Sequence, residues 1–358
     1  MDRIPAFLQN DASVYFAAAN TAKGFESYFS QIFDAKKLDR LILVKGGPGT
    51  GKSTLLIRLA LAARENDEPC ECFLCSSDTA SLDAVYLPRQ NVAAVDATSP
   101  HSLDPICPGA VETIFDAGAF WDVRRLKEDR KLLFELIARK NEAYRHAYRL
   151  LGTAGNCSKE AFELYGDAVN YDKLKSAAKR LFLKTVKSFP GYSCTLRQVS
   201  AFSRDGFVRL KSFERQARAK IEIDYAGGTG AYVLSQMHLF AREYGAPIIL
   251  SRSIMHPGYP EAIYFPLDRI LFALSDLGMI EPDYRVNMDR FLDRERIREH
   301  RNRIRLCRKL CLEAQSAASL SFQSAARFHS ALESRYVASM DFSGLAAAWE
   351  RELETIFE

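Results

Sequence analysis

The chain has 358 residues, 47% of them apolar and 26% charged, with a formal net charge of +4. That is the composition of a soluble globular protein of two-domain size. A charge of +4 is too small to call for nucleic acid by itself. No run of about 18 uncharged apolar residues occurs, so no membrane span is expected. The start, MDRIPAFLQNDASVYF, lacks the basic segment and apolar core of a secretory signal. A cytoplasmic protein with reduced thiols is expected.

In chain order, RLILVKG reads as a buried strand, followed by the glycine-rich GGPGTGKST and a helix starting near Lys52. CECFLCSS reads as a second strand. There Cys70 and Cys72 share one face and Cys75 takes the other, as buried strand thiols rather than metal ligands. NVAAVDA reads as a third strand. Strands alternating with helices predict a parallel α/β sheet. From Trp121 to about Leu183 apolar residues recur at helical spacing, and the break at GTAGN predicts a helical hairpin. SFPGYSCT, Ser188 to Thr195, reads as a linker. The remainder repeats the plan and ends in helices from about Asp289 to Phe357.

The repetition extends to residues. AAANTAKGFESYF resembles VSAFSRDGFVRLK, LILVKGGPGTGKSTLL resembles IEIDYAGGTGAYVLS, and LDAVYLP resembles PEAIYFP. Gly24 stands opposite Gly206, Gly51 opposite Gly230 and Pro88 opposite Pro266. Weaker matches continue into the helices: Phe120, Asp122 and Arg125 against Phe291, Asp293 and Arg296, then Leu174, Ala177 and Arg180 against Leu345, Ala348 and Arg351. An ordered series of this kind predicts a duplication. The expected units are residues 1–187, with a helical segment at about 121–185, and residues 196–358, with one at about 289–357.

Gly46-x-x-x-x-Gly51-Lys52-Ser53 fits the Walker A pattern, with a strand before it and a helix after it. Glycines let backbone N–H groups turn toward phosphate oxygens, and the helix start adds its positive end. Gly46, Gly47, Pro48, Gly49, Thr50, Gly51, Lys52, Ser53 and Thr54 are therefore the expected nucleotide-binding residues. Lys52 would reach the terminal phosphates and Ser53 would ligate Mg²⁺. Asp96, ending an apolar strand, is the first candidate for the acid that holds Mg²⁺, and Asp78 is the second. No Glu follows Asp96, which argues against a fast motor. His101 and Asp104 lie in TSPHSLDPICPG, beyond a strand end where α/β proteins bind ligands. Lys52, Asp96 and His101 are the catalytic candidates.

The second copy keeps the glycines of GGTG but sets Ala231 and Tyr232 opposite Lys52 and Ser53. Ungapped, Leu274 faces Asp96, His256 faces Asp78 and Met279 faces His101, with Ser275 and Asp276 close enough to restore a carboxylate. One working site in the first half is expected. The second half would be a scaffold, a lid or a platform, and Arg252 and Arg269 are candidates for an arginine reaching across an intramolecular pseudo-dimer.

The loop resembles the P-loop NTPase superfamily. ANTAKGF, KGGPGTGKSTL, CSSDTASLDAVYLP and VDATSPHSLDPICPGAVE together resemble a bacterial family of tandem P-loop ATPases over most of the chain. Members of that family can carry an intact loop in the second half; this sequence departs there. The resemblance implies two tandem P-loop units and nucleotide binding, and it supplies no substrate. The basic helix DRERIREHRNRIRLCRK carries an arginine stripe at Arg294, Arg298, Arg301, Arg305 and Arg308, with Ile297, Ile304 and Cys311 as a buried seam. A solvated face is expected there, ahead of nucleic acid or an anionic surface, since no aromatic residues interleave. The sequence thus leads to a slow Mg²⁺-dependent ATPase coupling nucleotide state to conformation. A kinase acting on a small molecule or nucleotide and a non-catalytic nucleotide sensor are the alternatives, and the further partner is unknown. With no guanine-reading motif, ATP is favoured over GTP.

Overall fold

In the computed structural model residues 13–278 and 281–357 are described; Met279 and most of the N-terminal stretch read above lie outside them. The strands are β1 (Val14–Phe16), β2 (Ala18–Thr21), β3 (Gly24–Ser27), β4 (Arg40–Lys45), β5 (Glu71–Leu74), β6 (Leu82–Leu87), β7 (Val92–Asp96), β8 (Glu112–Asp116), β9 (Cys194–Leu196), β10 (Ser200–Ser203), β11 (Gly206–Arg209), β12 (Ala219–Ile223), β13 (Ile248–Arg252), β14 (Pro260–Phe265), β15 (Ile270–Leu274) and β16 (Tyr284–Val286). The long helices are α1 (Lys52–Glu65), α2 (Arg130–Gly166), α3 (Tyr171–Thr185), α4 (Gly230–Tyr244), α5 (Arg294–Val337) and α6 (Phe342–Phe357).

Two six-stranded sheets carry the same strand order, β1-β5-β6-β7-β4-β8 and β9-β13-β14-β15-β12-β16, and each half adds a two-stranded hairpin, β2–β3 or β10–β11. The tandem α/β plan holds, but the sheets are mixed rather than parallel. β6 runs antiparallel to β5 and β7, and β14 antiparallel to β13 and β15. The cause is connection length. The links flanking β6 are residues 75–81 and 88–91, shorter than the dozen or so residues a parallel crossover needs.

Strand β4 shows why the sheets read as continuous apolar runs. Ile42 and Val44 face one core, lined by α1; Leu41 and Leu43 face the other, which the second sheet shares through Ala262, Tyr264, Leu271 and Ala273. Burial on both faces replaces alternation with unbroken hydrophobicity. The sheets thus pack face to face, and the helices cover the outside.

GTAGN does not break the first helical segment. Helix α2 runs through it, and the chain turns at residues 167–170, where the Asn170 side chain caps α3. Glycine within a helix costs about 1 kcal/mol. The position is tolerated because a Cβ on Gly155 would stand 2.5 Å from the Ala22 side chain; the helix needs a glycine to approach the β2–β3 turn. Of the expected seam on α5 Ile304 is buried, while Ile297 and Cys311 are half-buried; the arginine stripe faces solvent. No helix among the described residues is long and apolar enough to cross a membrane.

The expected boundary at 196 falls inside β9 (Cys194–Leu196), an edge strand of the second sheet, so the linker read over Ser188 to Thr195 ends in a strand; nor do the units 1–187 and 196–358 divide the packing. Helix α3 of the first half inserts Leu174, Ala178 and Phe182 into the core of the second. Helix α6 of the second inserts Leu345, Trp349, Leu353 and Ile356 into the core of the first. The exchange is stitched by related backbone bonds: Asp122 N–H to Ser339 C=O at 2.7 Å and Asp293 N–H to Ala168 C=O at 2.8 Å. Ion pairs Arg40–Glu352 and Arg58–Glu350, each 2.6 Å, fix α6 to the first half.

Candidate functional site

The loop after β4 closes onto α1. Gly49 and Gly51 lie in the left-handed region, at φ 72° and 83°, which glycine adopts without steric cost. Thr50 is buried and donates to the Gly47 carbonyl at 2.9 Å. The Lys52 ammonium bends back over the loop, donating to the Gly46 and Gly47 carbonyls at 2.9 Å each. It lies 3.5 Å from the Asp96 carboxylate at the end of β7. The other Asp96 oxygen accepts from the Thr98 N–H and hydroxyl. Ser53 Oγ accepts the Leu82 N–H at 2.9 Å.

Lys52, Ser53 and Asp96 are therefore together, as the spacing predicts. His101 joins them. It is buried, stacked on Phe29 with ring centroids 4.5 Å apart, and neither ring nitrogen has a hydrogen-bond partner among the described residues. A donor atom from each of Asp83, Asp96 and His101 lies within 4.8 Å of the others. Asp78 stands apart from this group; its carboxylate caps the Ala80 N–H at 3.1 Å and pairs with Arg204 at 2.9 Å. Asp104 is at the surface, 3.2 Å from Lys45. Arg252 lies over the Tyr28 ring, and Arg269 donates to the Gln216 carbonyl; neither is seated at the loop.

Asp83 is the residue that motif reasoning omits. It sits in β6 inside the apolar run LDAVYL, and burial pushes its carboxyl up to about 6, against the pull of His101. The repeat carried the signal, because Glu261 occupies the same place in PEAIYF. An acid in a buried strand of both copies needs a reason in each. Glu261 has one: Ser200 Oγ donates to it at 2.7 Å and Ser251 Oγ at 2.6 Å. The repeat positions of those serines hold Ala18 and Phe73; Asp83 has the Cys75 thiol instead, with His101 and Asp96 beside it.

Burial also raises Glu261, to about 8. A carboxyl raised on folding stabilises the protein fully below its unfolded value, and that stability is lost as pH rises through the folded one. Thermal unfolding of the native chain is expected to shift to lower temperature between about pH 4.5 and 8. Glu261→Gln should flatten that slope, which is at most about 1.4 kcal/mol per pH unit. Identical slopes in the two proteins would show that Glu261 is ionised when folded.

The roof of the site comes from the second half. A Cβ on Gly49 would meet the Glu333 carbonyl at 2.7 Å, and one on Gly47 would meet Tyr336 at 3.4 Å, both on α5. Phe342 and Leu345 of α6 close over Gly51. His329 pairs with Glu333 at 3.6 Å, and burial lowers its imidazole from the usual range.

The corresponding loop of the second half is covered by aromatic rings of α2. A Cβ on Gly227 would overlap Tyr165, and one on Gly228 would stand 2.7 Å from Phe162. His256 there bonds Ser158 Oγ at 2.8 Å, and Ala231 is buried. Asp276, near the position of Asp96 in the repeat, is raised to about 6 by burial, and the repeat position of Lys52 holds Ala231. None of the eight cysteines is in a disulfide, and the only group of metal-type donors among the described residues is Asp83, Asp96 and His101.

No family model matches the chain, and no curated protein or solved structure matches it either.

Proposed function

We propose that this protein binds Mg²⁺-ATP at Gly46–Thr54 as a P-loop protein with one working site, and hydrolyses it slowly. The observation that carries the proposal is the posture of Lys52. Its ammonium is folded onto two loop carbonyls and beside Asp96 at the start of α1. A cation resting on two neutral carbonyls and a carboxylate 3.5 Å away is placed to turn to a phosphate group, which carries more charge. On binding, Lys52 would leave the carbonyls for the terminal phosphates, and the helix start would add its dipole.

The residues present fit a divalent cation. Asp96 and the Ser53 hydroxyl supply hard oxygen donors beside the loop, Asp83 stands behind them, and the unpartnered His101 nitrogens are buried among these acids. Bound there, Mg²⁺ would neutralise phosphate charge. Asp96 would hold it, while Thr98 fixes the carboxylate through its N–H and hydroxyl. His101 and Asp83 would orient water near the terminal phosphate. The roof contributed by α5 and α6 limits solvent and ties the nucleotide to the second half, so turnover would be coupled to the fit between halves. The same roof is the feature favouring phosphoryl transfer to an acceptor other than water, since excluding water suppresses hydrolysis.

Incubation with Mg²⁺-ATP, with and without a panel of metabolites and nucleotides, tests this by phosphate release and label transfer. Slow acceptor-independent release is expected. Acceptor-dependent transfer would replace hydrolysis with a kinase, and tight binding without turnover would leave a sensor.

A further inference from the structure

Strands β6 and β7 run antiparallel, and their register pairs Ala84 with Val95. The same register sets Asp83 opposite Asp96, two acids on one face of neighbouring strands. Like charges directly opposite each other destabilise a sheet, so the arrangement calls for positive charge between them. Lys52 supplies one ammonium, 3.5 Å from Asp96, and the Cys75 thiol bonds Asp83. One ammonium against two acids leaves the pair short of a cation.

His101 closes the group from the loop after β7. It is 8% exposed, and both ring nitrogens are buried with no hydrogen-bond partner among the described residues. A buried imidazole with nothing to bond is costly. The ring lies flat on Phe29, 3° from parallel, so its nitrogens cannot swing to solvent without losing that stack. One donor atom from each of Asp83, Asp96 and His101 falls within 4.8 Å of the other two, yet no hydrogen bond joins His101 to either acid. Metal–ligand bonds of about 2.0–2.2 Å place donors roughly 3–4 Å apart around one ion, so a small adjustment of these side chains suffices. The repeat supplies a comparison. Ala262 pairs with Ala273, which sets Glu261 opposite Leu274, and hydroxyls of Ser200 and Ser251 satisfy Glu261. The ungapped position of His101 holds Met279. Where the loop has no lysine, the second acid and the imidazole are gone as well.

We infer that Asp83, Asp96 and His101 form a three-ligand site for a divalent first-row transition ion of the Mn²⁺ class, held by the protein without any nucleotide. Mg²⁺ takes oxygen donors, and an imidazole nitrogen in the set favours a transition ion over it. The site stands on these three side chains and does not require the nucleotide reading above. Joined to that reading, it makes the cation beside the loop a resident one, with His101 and Asp83 as its ligands rather than direct partners of water. No acceptor among the described residues orients the second His101 nitrogen, so an exchangeable ion is expected rather than a tightly locked one.

The test uses the full chain, chelator-treated and free of nucleotide, titrated with Mn²⁺ and followed by the loss of the free-ion electron paramagnetic resonance signal. Mn²⁺ is the probe because the free thiols would compete for Zn²⁺. One ion per chain should bind, at least about tenfold more tightly than Mg²⁺ in competition. His101→Ala should weaken Mn²⁺ about tenfold or more and erase the preference over Mg²⁺, and Asp83→Asn should weaken it similarly. Lys52→Met should hold or tighten Mn²⁺, because it removes a rival cation from Asp96. In the native chain, substoichiometric Mn²⁺ should broaden the His101 imidazole resonances first among the six histidines, a readout that needs no variant to fold. Absence of binding at millimolar Mn²⁺ overturns the inference, as does equal affinity for Mn²⁺ and Mg²⁺, or Mn²⁺ binding that His101→Ala leaves unchanged. The two readings fail separately: Mn²⁺ bound by a chain that ignores ATP keeps this site and removes the nucleotide, and ATP bound by a chain that takes no Mn²⁺ alone does the reverse.

Discussion

Lys52→Met is expected to lower affinity for Mg²⁺-ATP on the order of a hundredfold or more, and to remove turnover with it. The methylene stem is kept, so the packing beside the loop survives. What is lost is the only ammonium that bonds the Gly46 and Gly47 carbonyls among the described residues. A triphosphate brings about four negative charges into a partly buried cleft, where uncompensated charge is costly. Backbone N–H groups supply partial charges only. The control is Ala231→Ser in the second loop, where no lysine follows the glycines and aromatic rings stand against them; nucleotide affinity should stay within about twofold. Calorimetric titration reads both variants. A Lys52→Met protein that binds as tightly as the native chain would remove the site from this loop. Melting curves should show both variants folded, since Asp96 keeps its bonds to Thr98.

Trp349→Ala should destabilise the first half of the chain although it lies in the second. Trp349 is fully buried, packed edge-on to Phe115 at 4.9 Å, in the core lined by α1 and β4. Removing such a ring costs about 3–5 kcal/mol. Hydrogen exchange should therefore accelerate first in β4 and β7, with β12 and β15 less affected. Phe182→Ala is the mirror case and should act on β12 and β15, because Phe182 sits in the core of the second sheet. If each substitution instead loosened the sheet of its own half, the exchange of helices would be wrong. For the same reason residues 1–187 alone should not form a stable domain. They would lack the Leu345, Trp349, Leu353 and Ile356 side chains that cover α1, and α3 would have no core to enter.

Much of the architecture was legible as pattern. Burial on two faces made β4 and β7 continuous apolar runs, and the glycines with Lys52 announced the turn into α1. The duplication was legible because strand order, hairpins and helices follow one plan twice. Strand–helix alternation does not reveal the antiparallel β6, although the short links on either side leave no room for a crossover. GTAGN misled because glycine propensity is a weak prior that tertiary contact overrides; the contact in question, Gly155 against Ala22, is remote in sequence.

The candidate site divides in the same way. Lys52, Ser53 and Asp96 follow from local spacing, since a strand, a tight loop and a helix hold them in fixed relation. Asp83 was visible only as a charge in a buried strand, and its role depends on what its neighbours offer. Hydroxyls satisfy Glu261 in one half; Ala18 and Phe73 leave Asp83 without them in the other. His329 and Glu333 could not be found from spacing, because they reach the loop from more than a hundred residues away.

The amino-acid sequence alone determined that this protein has two related α/β units, one with a lysine-bearing glycine loop and one without. Those properties reside in local spacing and in the comparison of one half with the other. The tertiary structure decided which half completes which. The helices cross over because α3 and α6 each carry one apolar stripe, and both sheets offer an outer face that such a stripe can cover. Hydrophobic burial is indifferent to chain order, so the sequence did not specify which sheet either helix would take. That choice sets α5 and α6 over Gly49 and Gly51, and with it the site belongs to both halves of the chain.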